Sequence, residues 1–308
     1  INPAYRTAEV EYALNKVGCR LLVTMARFKT SDYLGMLREL APEWTGQQPG
    51  KLGAMKLPLL RTVVWIDGGT DAAGGQGSEE PGLLRPGFQA PDYSGGRIER
   101  IDPATGAIET LIRAVDGRPL RGPNDLMFDA HGGFWFSDLG KVRARDRDHG
   151  GAYWAKADGS GAVEAAFPVF GGANGIGISP DGKTVYVAET ETGRLWAWDV
   201  EAPGKLKKEP WPSSNGGRVL CQFPGYRRLD SLAIAASGNI IVATLVAGEI
   251  TTISPSGEIL RVVKMPERMP TNICFGGPDM RTAYITLSTS GKLVAMQWDE
   301  PGFRLPHG

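Results

Sequence analysis

The chain has 308 residues, with 34 Lys and Arg against 34 Asp and Glu, and 42% of it is apolar. That length supports one large domain or two smaller ones, each with a real core. The balanced charge gives no pull toward nucleic acid or an anionic membrane.

The first 70 residues alternate helix and strand signals. Residues 8–17 read as a helix with Glu9 and Glu11 in its early turns. Residues 20–25 read as a short strand. Ser31 and Asp32 read as a cap for a second helix whose apolar positions Tyr33, Leu34, Leu37 and Leu40 follow a helical spacing, with Pro42 just beyond. Residues 60–66 read as another strand. Residues 71–95 are rich in Gly, Ser and acidic residues and read as a linker.

From residue 96 onward strand signals dominate. Residues 96–102 and 107–114 form a hairpin pattern, as do 151–158 with 162–169 and 249–254 with 258–264. Residues 194–200 and 292–298 are single strand candidates. Between them, four stretches repeat one design: an apolar run, a Gly-centred turn and a second apolar run. They begin at Asn124, Asn174, Asp230 and Asn272 and end at Asp138, Glu189, Thr244 and Thr286. A period of roughly 40–60 residues is that of propeller blades. The fold class expected is therefore all-β, a β-propeller of four-stranded blades preceded by a small α/β segment.

Antiparallel pairing puts the start of one strand and the end of the next at the same side of a sheet. Radial symmetry would then gather Asn124, Asn174, Asp230 and Asn272 as an inner ring at one mouth, with Asp138, Glu189, Thr244 and Thr286 outside it. Carboxylate and amide oxygens without Cys or His select a hard cation, Ca²⁺, Mg²⁺ or Mn²⁺. The competing reading is that Asn and Asp at strand starts satisfy turn amides.

The chain has three histidines. His131 reads as a surface turn residue, and His149 follows a charged loop, 143–148, with room to overhang the mouth, and reads as a solvated loop residue ahead of a substrate contact. Ser231 lacks a nearby base, so a Ser-His-Asp triad is unsupported. Trp135, Trp154, Trp196 and Trp198 read as blade packing. Cys19, Cys221 and Cys274 are widely spaced and read as reduced, buried thiols, which points to a cytoplasmic location. No apolar run approaches the roughly 20 residues of a membrane span. The opening Ile1 reads as a processed or truncated start.

The motifs at residues 122–125 with 134–138, 173–175 with 179–183, 229–231 and 271–277 resemble the SMP-30/gluconolactonase/luciferin-regenerating family. The resemblance runs over residues 96–308. It implies a six-bladed propeller with a divalent metal, usually Ca²⁺, at one mouth, hydrolysing lactones and related esters. Carried over by residue, Asn174 and Asp230 match metal ligands and Asp230 also the general base. Asn124 matches a substrate- or metal-contacting Asn. Asp138 and Ser231 match polar site positions, with Asp138 offered as a further metal ligand and Ser231 and Asn272 as substrate contacts. The Glu-Gly-Pro that opens the family's first blade, and whose Glu is a ligand, is absent. Residues 1–70 instead resemble an internal piece of an acyl-CoA synthetase, as in a fusion that replaced a blade or more. Two functions are therefore expected to compete: a metal-dependent lactonase or esterase acting on a small molecule, and an impaired propeller that only binds. An open sheet edge would also permit a homo-oligomer.

Overall fold

The computed structural model describes residues 7–16, 21–25, 27–28, 31–44, 53–59, 62–66, 93–101, 107–143 and 145–305. Residues 71–92 of the expected linker at 71–95, and Cys19, lie outside the described residues. The chain divides into two compact units. The first comprises Ile1–Glu80 with Glu99–Glu109, and the second Pro81–Ile98 with Thr110–Gly308.

The first unit is α/β. Helix Thr7–Lys16 buries Val10 and Leu14, and helix Tyr33–Leu40 buries Met36, Leu37 and Leu40. The spacing of these positions explains the burial, since residues three and four apart share a helix face. Leu21–Met25 pairs in parallel with Thr62–Ile66. Ser31–Asp32 pair as a two-residue strand with Arg27–Phe28 directly ahead of the second helix, with Asp32 at the position before its first residue.

Among the described residues the second unit holds four blade sheets in propeller order, besides the short pairing of Ala114–Val115 with Arg118–Pro119. The first blade is Pro123–Phe128, Gly133–Asp138, Gly150–Lys156 and Ala162–Val169. The second is Ala173–Ile178, Thr184–Glu189 and Arg194–Ala202, with Arg218–Gln222 as the outer strand and Lys205–Leu206 as a side pairing. The third is Arg228–Ile234, Ile240–Leu245, Glu249–Ile253 and Ile259–Lys264. The fourth has three strands, Pro270–Gly276, Thr282–Leu287 and Lys292–Gln297. All pairings within blades are antiparallel. The first strand of each blade packs on the first strand of the next, so these four innermost strands stand side by side.

The core lies between blades. One cluster joins the first three through Trp135, Ile176, Val187, Trp198, Leu232 and Val242. Another joins the third and fourth through Ile241, Ile250, Ile285 and Trp298. Trp135, Trp196 and Trp198 are buried packing residues, as expected. His131 is an exposed turn residue whose amide donates to Asp129 Oδ1. Cys221 is buried, but Cys274, expected inside, is exposed. The innermost strand of the fourth blade alternates, and Cys274 shares its exposed phase with Asn272.

Candidate functional site

The innermost strand of the second blade, Ala173–Ile178, is buried at every residue. Its neighbours must approach closely for this to hold, and Gly175 permits it. A Cβ there would lie 2.7 Å from the Asp230 carbonyl oxygen and the Leu232 nitrogen, and 2.8 Å from the Ser231 carbonyl carbon. These are backbone atoms that cannot yield. The bare backbone at Gly175 thus brings the third blade's strand against the second at the level of Asp230–Leu232.

Asn174 and Asp230 meet in this contact. The Asn174 side chain is 3% exposed and lies against the Asp230 carboxylate. Its Nδ2 donates to Thr190 Oγ1 at 3.2 Å. Its Oδ1 is buried and has no hydrogen-bond partner. An orphaned buried carbonyl oxygen costs on the order of 1–3 kcal/mol, so it marks a place where an electrophile would be welcome.

Asp125 joins from the first blade. The Ile176 amide and the Ser231 hydroxyl face its carboxylate, so this side chain spans the second blade's strand to reach the third. Burial pushes Asp125 up to about 6, against the pull of those two donors and of the Leu126 amide. Burial likewise pushes Asp230 up to about 6, with the negative charge of Asp125 adding to it and Asn174, the Ser231 amide and Arg228 opposing it. Ser137 ties the first two blades together. It accepts from the Asp125 amide at 3.1 Å, and its hydroxyl donates to the Asn174 carbonyl oxygen.

The other expected residues stand differently. Asn124 is exposed on the strand that carries Asp125. Asn272 is exposed on the fourth blade, and its Oδ1 accepts from the Ile273 amide at 2.7 Å. The outer set turns toward its own blades. Asp138 accepts from the amides of Arg121 and Gly122 at 2.7 Å and of Gly140 at 2.8 Å. Glu189 accepts from the Gly171 amide at 2.6 Å and Trp196 Nε1 at 2.8 Å. Thr244 bonds with Thr251, and Thr286 with Thr271. The physical reason is that a strand end must satisfy the loop amides packed on it.

Asp125 and Thr190 were missed by residue reasoning. A signal for Asp125 exists: the second residues of the first three repeats, Asp125, Gly175 and Ser231, form a column of their own. It places two polar side chains on either side of a position with none.

Among the described residues no three His, Cys, Asp or Glu side chains come together. The donors gathered here are two carboxylates, one free amide oxygen and one hydroxyl. An all-oxygen set of this kind fits a hard divalent cation, and Asn174 Oδ1 is the atom that lacks a partner without one.

A family profile described as the SMP-30/Gluconolactonase/LRE-like region matches residues 93–289. The 6-deoxy-6-sulfogluconolactonase of Pseudomonas putida is 27% identical over 250 residues, 68% of this chain and 82% of that protein. A calcium-binding protein, regucalcin, from Agrobacterium tumefaciens shares the fold, with a TM-score of 0.51 at 22% identity over 67% of this chain and 73% of its own. A separate likeness is to the mitochondrial medium-chain acyl-CoA ligase of Bos taurus, 44% identical over 91 residues, 28% of this chain. The chain spans only 15% of that ligase's length.

Proposed function

Because the chain belongs to the SMP-30/gluconolactonase/LRE-like family, we propose that it hydrolyses a lactone or small carboxylic ester at the junction of Asn174 and Asp230, with a divalent cation, Ca²⁺ first among candidates, as cofactor. The observation that carries the reading is the buried Asn174 side chain, which lies against the Asp230 carboxylate and keeps an Oδ1 with no hydrogen-bond partner. The sulfogluconolactonase and the calcium-binding regucalcin among its relatives support the reaction class and the metal.

Asn174 and Asp230 would hold the cation, with Asp125 as the nearest second carboxylate. When bound, the cation supplies polarisation of the ester carbonyl and stabilisation of the charge that develops on its oxygen. Asp230 takes a proton from the attacking water. Without a cation its half-buried carboxyl stands at about 6; beside a bound cation the ionised form is favoured, and that is the form able to accept the proton. Water oxygen bonds to the acyl carbon, the ring C–O bond breaks, and the proton passes to the departing ring oxygen to give a hydroxy acid. Ser231 orients Asp125, and Ser137 fixes the backbone on which Asn174 stands. Asn124 and Asn272, exposed on the innermost strands of the first and fourth blades, serve as outlying substrate contacts in this reading. Asp138, with both oxygens taken by amides, serves to shape the loops of the first blade.

The test is hydrolysis across a lactone panel with and without EDTA, and with Asp230→Asn. Each treatment is expected to reduce turnover by about 100-fold or more, the scale of losing a positioned base or a Lewis acid. Undiminished activity under both would end the proposal.

A further inference from the structure

The strand ends beside Asn174 are overhung by a rim of unusual composition. Residues 139–149 connect the second and third strands of the first blade, and Phe170–Gly172 lead from its last strand into Ala173. Gly150 pairs with Val169, so the two connections lie together at the end where Asn174 enters its strand. Gly172 has φ +89°, and a Cβ on it would sit 2.7 Å from Arg147 Nη2 and 2.8 Å from Leu139 Cδ1. The Arg147 guanidinium therefore lies against the backbone two residues ahead of Asn174. Next to it His149 stacks edge-on against Phe170 at 5.0 Å, with Phe167 at 6.5 Å, and both phenylalanines are about half exposed.

The charges of this loop do not cancel. Lys141, Arg143, Arg145 and Arg147 face two carboxylates, Asp146 and Asp148, so four positive charges less two negative leave +2. Both carboxylates are engaged by Arg143, at 2.6 Å and 2.9 Å. Lys141 lies over the Tyr93 ring. Arg147 pairs with no carboxylate among the described residues, and its one described acceptor is the Asp148 carbonyl oxygen at a long 3.5 Å. A guanidinium with free donors, held over the bare backbone of Gly172 in a rim that also carries the exposed His149–Phe170 pair, suits an anionic group bound by its fork.

Resting on the lactonase reading, we propose that this rim is a subsite for an anionic substituent of the substrate, a carboxylate, sulfonate or phosphate remote from the ester, and that Arg147 is its ligand. The positive rim offsets the negative pair Asp125 and Asp230 and favours approach of an acidic lactone over its neutral counterpart.

The experiment compares D-glucono-1,5-lactone with its 6-phosphate in the full chain, with Ca²⁺ present. The anionic lactone is expected to have the higher kcat/KM, by tenfold or more. Arg147→Gln should cut the anionic-to-neutral ratio at least tenfold, through KM, while Arg147→Lys keeps part of it. A ratio that is the same in the native chain and in Arg147→Gln overturns the proposal. If neither lactone is hydrolysed, the lactonase reading falls, and calorimetry with 6-phosphogluconate against gluconate decides the subsite. Preference for the phosphate that disappears in Arg147→Gln sustains it, and equal binding of the two acids overturns it.

Discussion

Gly175 controls how near the second and third blades come. Its missing side chain admits the Asp230–Leu232 backbone on one side and leaves room for Asp125 to reach Ser231. Gly175→Ala inserts a methyl within 3 Å of three backbone atoms. Overpacking of this kind costs about 1–3 kcal/mol. A lowered urea midpoint with an unchanged slope is the expected result, and it should come with loss of lactone turnover, because Asn174 and Asp230 are parted. A variant as stable and active as the parent would show that the strands are not pressed together here. Asn174 and Asp230 were legible beforehand because each opens a repeat and carries an oxygen ligand. Asp125 was not, since the side chains of neighbouring strand residues point to opposite faces, and the polarity of Asn124 drew attention to the other one.

Within the blades, the carboxylates at the ends of the second strands hold loops in place. Asp138 gathers three backbone amides, and Glu189 gathers one amide and an indole N–H, neither in an ion pair among the described residues. Charge-assisted bonds from amides are worth about 1.5–3 kcal/mol each in favourable settings. Asp138→Asn keeps the size but replaces one acceptor oxygen with a donor that faces an amide. It should lower the melting temperature by several degrees, about 1–3 kcal/mol of stability, measured by thermal unfolding followed by tryptophan fluorescence. No change would mean that the amides find other partners. At this scale most strands were legible, because apolar runs around Gly turns have a clear period. Arg218–Gln222, the outer strand of the second blade, was not. It follows a long polar connection, and its pattern of Arg, Val, Leu, Cys and Gln has no marked alternation. The polar ends of the repeats had two meanings in sequence, ligand or loop anchor, and only packing separates them.

For the molecule as a whole, the half-buried acid pair sets a pH dependence. Asp125 and Asp230 are each raised from 3.8 to about 6 in the folded chain. Between those values the folded state binds protons that the unfolded state does not. Stability from these two groups therefore rises as pH falls from about 7 toward 4. Asp148, held low by Arg143, acts in the opposite sense, but its contribution is lost only below the ordinary carboxylate range. In EDTA the melting temperature is expected to be higher at pH 5.5 than at pH 7.5, by roughly 2–4 °C for a chain of this size. Ca²⁺ at pH 7.5 should close the gap, since a cation neutralises the same pair without protons. A melting temperature that falls steadily with acidification, with or without Ca²⁺, would contradict the raised values.

Cys274 has a practical consequence. It is exposed on the innermost strand of the fourth blade, while the protein around it pushes its thiol pKa up, so an alkaline buffer is what makes it reactive. In air, two molecules could become bonded covalently through it, and the preparation would double in mass without any designed interface. Reductant in the buffer, or serine in its place, would keep the chain single, and a mass measurement before and after dithiothreitol tells an oxidised pair from a genuine assembly.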